Sequence, residues 1–181
     1  FNILSEKNQE FVNIAYKRTQ ALTKFIKDLL RLTKMRQSAE FEKKEFSLKD
    51  MLFEAIDIVK EHTERKSITL SNNIDPQINT IVADEFSLKE ITTNMMLNAV
   101  KYTPKEGYIK LEAFSFVDFI RVSISDSGIG IPEEDIPLIF NEFFRGSNVD
   151  KMKIEGTGVG LAIAKNVILQ HGGEIWAENL D

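Results

Sequence analysis

Five of the nine glycines in this 181-residue chain lie in two short boxes, Asp126-Ser-Gly128-Ile-Gly130 and Gly156-Thr-Gly158-Val-Gly160. Glycine admits close approach of backbone to a ligand or to another strand of chain. Two such clusters therefore mark loops built for contact, and they confine regular structure to the stretches between them. Asn94-Met-Met-Leu-Asn98-Ala-Val-Lys101-Tyr102 reads as a helix. It sets Asn94 and Asn98 one turn apart on one face, with Lys101 three residues beyond. Two amides, a cation and bare backbone N–H groups together suit a nucleotide and Mg²⁺. The chain has no Gly-Lys pair, which excludes the G-x-x-x-x-G-K-[ST] phosphate loop.

The flanking sequence suggests where these segments sit. Ser5 to Met35 has neither Gly nor Pro, and Leu22, Phe25, Leu29 and Leu32 recur at helical steps beside Ile26 and Leu30. We expect one long helix with an apolar stripe suited to dimerisation, then a polar linker from Arg36 to Glu45. Ser47 suits the N-cap of a helix from Leu48 to Lys66. Ile68–Asn72 and Thr80–Ala83 read as strands around an Asp75-Pro76 turn, and Ser87 as the cap of the helix that stops at Thr103-Pro104. Tyr108–Phe116 and Phe119–Ser125 alternate as an antiparallel hairpin. A lid region, 140–155, leads to a helix from Leu161 to Gln170, and Glu174–Glu178 is expected as a last strand. Helices segregated from a largely antiparallel sheet give an α+β two-layer sandwich preceded by a long helix. The division expected is 1–40 and 41–181.

Charge and cysteine usage narrow the function classes. A formal charge of −5 gives no basic field for nucleic acid. The absence of cysteine excludes disulfides and thiolate metal sites and fits a cytoplasmic setting. No apolar run is long enough to cross a bilayer, although an intact protein could still be anchored elsewhere. Phe1 as first residue suggests a fragment.

Chemistry can be assigned residue by residue. The Asn98 amide oxygen can enter the shell of Mg²⁺, which keeps most of its waters and takes phosphate oxygens. Lys101 can reach a phosphate. Asp126, at a strand end, can accept from an exocyclic amine such as adenine N6. Gly156, Gly158 and Gly160 open a helix whose N–H groups and dipole favour an anion.

Taken in order, these segments resemble the ATP-binding domain of sensor histidine kinases, the Bergerat-type nucleotide fold. The N box is Asn94 to Tyr102, and the first glycine box is Asp126 to Pro132. The phenylalanine box is Phe140-Asn-Glu-Phe143-Phe144-Arg145, and the second glycine box is Gly156 to Leu161. The likeness spans about residues 46–178, and residues 5–38 are similar to the second helix of the dimerisation and phosphotransfer hairpin. It implies that Asn98 binds Mg²⁺, that Asp126 reads adenine, and that Asn94, Lys101 and Tyr102 line the phosphate and ribose side. Gly128, Gly130, Ile131, Gly156, Thr157, Gly158, Val159, Gly160 and Leu161 would contact the nucleotide. Arg145 would approach the γ-phosphate under a lid, 145–155, rooted on Phe140 and Phe143. The partners implied are ATP, a phosphoacceptor helix, a response regulator receiver domain and a second protomer.

Two departures stand beside the likeness. The family's acceptor box, roughly His-Glu-x-x-Thr-Pro, is missing: His62 lacks it and reads as a surface residue, and His171 reads as a helix terminus. A further strand after Trp176 is missing as well. Among competing readings, a Rossmann oxidoreductase using the second glycine box would need a buried strand before it and parallel strands after it. A hydrolytic ATPase of the chaperone and topoisomerase group needs a glutamate where this chain has Asn94, and Glu90 lies another turn away. A dimeric nucleotide-binding module without kinase activity is the third alternative.

Overall fold

The computed structural model describes residues 6–36, 42–151 and 156–180. The chain divides into two compact units, residues 1–39 and 40–181. The first contains α1, Glu6–Arg36, a single uninterrupted helix. Leu22, Ile26, Leu29 and Leu30 on it are exposed.

The second unit opens with β1, Lys44–Ser47, and α2, Leu48–Arg65. Ser47 caps α2 as expected, its hydroxyl accepting from the Asp50 N–H at 3.2 Å. The linker expected to run to Glu45 is shorter: residues 37–41 lie outside the described segments, and Lys44 already pairs with Ala83. Thr69–Ile74 is β2 and Thr80–Ala83 is β3. They do not pair with each other. Instead β3 joins β1 in an antiparallel pair, while β2 lies parallel to β4, Tyr108–Ser115. A parallel neighbour needs a crossover. Here it includes α3, Glu85–Tyr102, which carries the whole asparagine segment back to the start of β4. The cap of α3 is Asp84 rather than Ser87, because Asp84 Oδ1 accepts from the Ser87 N–H at 2.7 Å. Antiparallel to β4 runs β5, Ile120–Asp126, and its last residue stands opposite Ile109.

Alternation along β4 buries Ile109, Leu111 and Ala113 toward the helices and turns Lys110 and Glu112 to the other face. Leu52, Ile56 and Val59 of α2 and Met96, Ala99 and Val100 of α3 complete the same core. This is the expected α+β two-layer arrangement. A 3-10 turn at Ile136–Leu138, α4 (Ser147–Lys151) and α5 (Gly160–Gln170) finish the described elements. Residues 174–178 form no strand among the described residues. Their alternation is strand-like, but a strand exists only where a neighbour pairs with its backbone. The segment is held by side chains instead: the Arg121 guanidinium lies 5.5 Å from the Trp176 ring centroid. No helix among the described residues is long and apolar enough to cross a membrane.

Candidate nucleotide site

The site is built around the last two turns of α3. Asn94 and Asn98 are half-buried on this helix. Among the described residues, neither side chain has a hydrogen-bond partner, which leaves both amides for solvent or a ligand. One turn on, Lys101 Nζ donates to the Tyr102 hydroxyl at 3.1 Å. The same ammonium reaches the second glycine box: a Cβ on Gly156 would lie 2.9 Å from Lys101 Nζ. Arg145 arrives from the other side, its Nη1 donating to the Gly156 carbonyl at 3.3 Å. Lys101, Tyr102, Gly156 and Arg145 are thus brought together.

The first glycine box closes on the same helix end. A Cβ on Gly128 would sit 3.0 Å from the Tyr102 carbonyl oxygen and 2.4 Å from Asp126 Oδ1, so only glycine fits without displacing that carboxyl. The Gly128 N–H donates to Asp126 Oδ1 at 2.8 Å. Asp126 stays open to solvent at its rim, yet desolvation raises its pKa above the ordinary 3.8. The Gly128 N–H opposes that shift, and the Thr103 hydroxyl lies nearby. Thr103 Oγ1 is itself buried and completes no hydrogen bond among the described residues. A carboxylate short of solvation, beside an unsatisfied hydroxyl, is a place where a donor from a ligand would be welcome.

At the second box, Gly158 adopts φ +70, and a Cβ there would lie 2.6 Å from the Phe144 carbonyl oxygen. Phe143 also has a left-handed backbone, φ 63. Its side chain was expected as a root for the lid, but the residue is 49% exposed. Its backbone is what packs against Gly158. Gly160 begins α5, and no side chain caps that start. Its first N–H groups therefore lack the usual side-chain acceptor.

Other expected residues are placed differently. Val159 is fully buried and packs inward. Ile131 is tied on both sides to Asn179, which accepts from its N–H at 2.9 Å and donates to its carbonyl at 2.6 Å. Gly130, Thr157 and Leu161 stand at the loop surface or only partly buried. Within the lid region, α4 is anchored by buried Asp135, whose Oδ2 accepts from the Ser147 N–H at 2.8 Å, and residues 152–155 lie outside the described segments. Asn179 and Asp135 shape the loops but follow no local motif, so the sequence did not single them out. His62 is exposed on α2. His171 is engaged at both ring nitrogens, Nε2 accepting from the Asp84 N–H at 3.0 Å and Nδ1 lying 2.7 Å from the Val167 carbonyl oxygen.

No cluster of three or more His, Cys, Asp or Glu side chains able to hold a metal occurs among the described residues. The donor set fits Mg²⁺ bound with a nucleotide, since that ion takes one or two protein oxygens and fills its shell with water and phosphate. The Asn98 amide, one turn before Lys101 on α3, could supply such an oxygen.

Known proteins resemble this chain in sequence and in fold. Residues 83–181, more than half the chain, match the family model described as histidine kinase-, DNA gyrase B-, and HSP90-like ATPase. The sensor histidine kinase WalK of Bacillus subtilis is 28% identical over 94% of this chain, which covers 28% of that protein. The catalytic domain of histidine kinase ThkA, in a nucleotide-free form, superposes with TM-score 0.69 at 31% identity, over 77% of this chain and 90% of that one. ThkA in complex with the response regulator TrrA gives TM-score 0.77 at 26% identity, over 98% of this chain and 49% of that one. The chain spans between about a quarter and a half of the length of the first curated relatives it matches. The chain belongs to the histidine kinase-, DNA gyrase B- and HSP90-like ATPase family, and its relatives are sensor histidine kinases.

Proposed function

We propose that this chain binds ATP with Mg²⁺ against the C-terminal end of α3 and passes the γ-phosphoryl group to a histidine on a helix outside it. The observation that carries this reading is the convergence of both glycine boxes on one helix end, Gly128 at the Tyr102 carbonyl and Gly156 at Lys101 Nζ. Asp126 would accept from adenine N6, which excludes guanine by presenting an acceptor to its O6. Asn98 would hold Mg²⁺, which when bound offsets phosphate charge. Lys101, Tyr102 and Asn94 would orient the phosphates and ribose, and the uncapped start of α5 would face the anion. Arg145 would stabilise charge as the bond from the γ-phosphorus to its bridging oxygen breaks and a bond to imidazole nitrogen forms.

Neither histidine of this chain suits the acceptor role. His62 lacks the flanking acceptor residues, and the ring nitrogens of His171 hold the Asp84 and Val167 backbone. Hydrolysis is less well supported, because Asn94 stands where a general base would be needed and an amide cannot serve as one. The exposed stripe of α1 suits a second protomer. In this reading residues 1–40 are part of a dimerisation and phosphotransfer helix with its linker, and residues 41–181 are the ATP-binding domain. By likeness to the kinase–regulator complex, the phosphoryl group would pass onward to a receiver domain.

The test is calorimetric. Asn98→Ala should weaken Mg-ATP binding by roughly tenfold or more, the worth of a lost charged contact, while thermal unfolding stays near wild type. Equal Mg-ATP affinity in both proteins would remove Asn98 from the site.

A further inference from the structure

We propose that Lys66 is a positioning residue for the nucleotide site, acting through the end of α3; this rests on the nucleotide-binding reading above. Lys66 is the C-cap of α2. The chain turns there through Ser67, whose φ is 55. The Ser67 N–H donates to the Glu64 carbonyl at 3.0 Å and the Ile68 N–H to the Thr63 carbonyl at 2.9 Å, the paired bonds of a Schellman closure. That closure needs nothing from the Lys66 side chain, which crosses to α3. Its ammonium donates to the carbonyls of Val100 at 2.7 Å, Lys101 at 3.1 Å and Thr103 at 3.0 Å.

All three donors of the ammonium are thereby directed at the final carbonyls of one helix, where acceptors lack intrahelical partners and the helix dipole favours a cation. The backbone of Lys66 adds to the clasp, its carbonyl accepting from the Glu106 N–H at 3.1 Å. The Thr69 N–H then donates to the Gly107 carbonyl at 2.8 Å. The end of α3, the turn after it and the start of β2 are fastened around one side chain.

The carbonyls held, of Val100, Lys101 and Thr103, bracket the residues on which the site converges. Lys101 carries the ammonium beside Gly156, the Tyr102 carbonyl is the surface on which Gly128 rests, and Thr103 lies next to Asp126. These contacts are close enough that a small shift of the last turn would displace all three at once. Lys66 touches no candidate ligand position itself; it sets where Lys101 and Tyr102 stand between the two loops.

The experiment uses the whole chain and Mg-ATP, comparing wild type with Lys66→Met, which keeps the stem and removes the donors, and Lys66→Arg, which keeps a cation. At a temperature where circular dichroism is native, the Met variant should bind Mg-ATP about tenfold more weakly, and the Arg variant should recover most of that loss. In the wild-type chain, Mg-ATP should also slow amide hydrogen exchange at Thr69 and Glu106, clasp amides that lie outside the nucleotide site, because coupling between site and clasp is reciprocal. This second measurement decides the matter should the Met variant fail to fold. A Met variant that melts lower yet binds with wild-type affinity, or wild-type exchange at Thr69 and Glu106 unchanged by Mg-ATP, would overturn the role of Lys66 alone. Absence of Mg-ATP binding by wild type would overturn the proposed function together with it.

Discussion

The two ends of α3 solve different problems. At its N-terminus Asp84 accepts from the Ser87 N–H and, through Oδ2, from the Glu42 N–H at 3.1 Å, and its own N–H donates to His171. Burial would raise the pKa of Asp84, but these backbone donors and the Ser87 hydroxyl together lower it below the ordinary 3.8. At the C-terminal end the pKa of Asp126 is raised and, among the described residues, a hydroxyl is unsatisfied and two amides face no protein partner. Both ends are fastened to the fold, the second by Lys66, but only the first satisfies its side-chain polar groups. The other leaves polar capacity open, which costs stability and is retained where a ligand can supply the missing contacts.

This contrast can be broken most forcefully at Gly128. Gly128→Ala would push against the Asp126 carboxyl and the Tyr102 carbonyl, and relieving a contact of that kind costs about 2 kcal/mol. The expected result is a loss of roughly thirtyfold in Mg-ATP affinity with a smaller fall in melting temperature. A variant that loses stability but binds normally would show that the loop does not form the site.

At the opposite end the expectation reverses. Asp84→Ala removes an N-cap and should lower unfolding stability by about 1 kcal/mol, measured by urea denaturation. ATP affinity at a temperature where the variant is folded should remain within about twofold.

Acid separates the two carboxylates with a smaller effect. The lowered pKa of Asp84 gives stability that is present above the ordinary carboxylate value and is lost as pH falls through the lowered one. Asp126 runs the other way: its raised pKa contributes stability at low pH that is lost as pH rises through the raised value. In the proposed site, adenine N6 would be held best by the charged form of Asp126. ATP affinity should therefore begin to fall, on acidification, at a higher pH than that at which the Asp84 contribution disappears. Binding and stability followed together between about pH 3 and 6, the range that brackets ordinary carboxylates, check this; coincident transitions would remove the distinction.

How much of this was legible in the sequence follows from how local each signal is. The Ser47 cap, the alternation of β4, the antiparallel pairing of β4 with β5 and the Thr103-Pro104 stop are read from neighbouring residues, and all stand in the structure. Lys44 and Glu45 fall in the expected linker because they are polar, and only pairing with β3 makes Lys44–Ser47 a strand. Asp84 and Ser87 are both cap-type residues three apart, and the tertiary contacts of Asp84 with Glu42 and His171 identify it as the cap. The N box and glycine boxes were legible because their chemistry lies in short spacings. Lys66, 34 residues from the nearest carbonyl it holds, and Asn179, 48 from Ile131, carry no such mark. Their partners are set by the fold.

The central claim is that a nucleotide binds between the C-terminal end of α3 and the two glycine loops. Backbone resonances of the wild-type chain, followed while Mg-ATP is added, test it most directly. Shifts should concentrate at residues 94–103, 126–131 and 156–161, with residues around Asp84 and on the Lys110 face of β4 barely moving. Saturable binding whose shifts spare those three segments would contradict it.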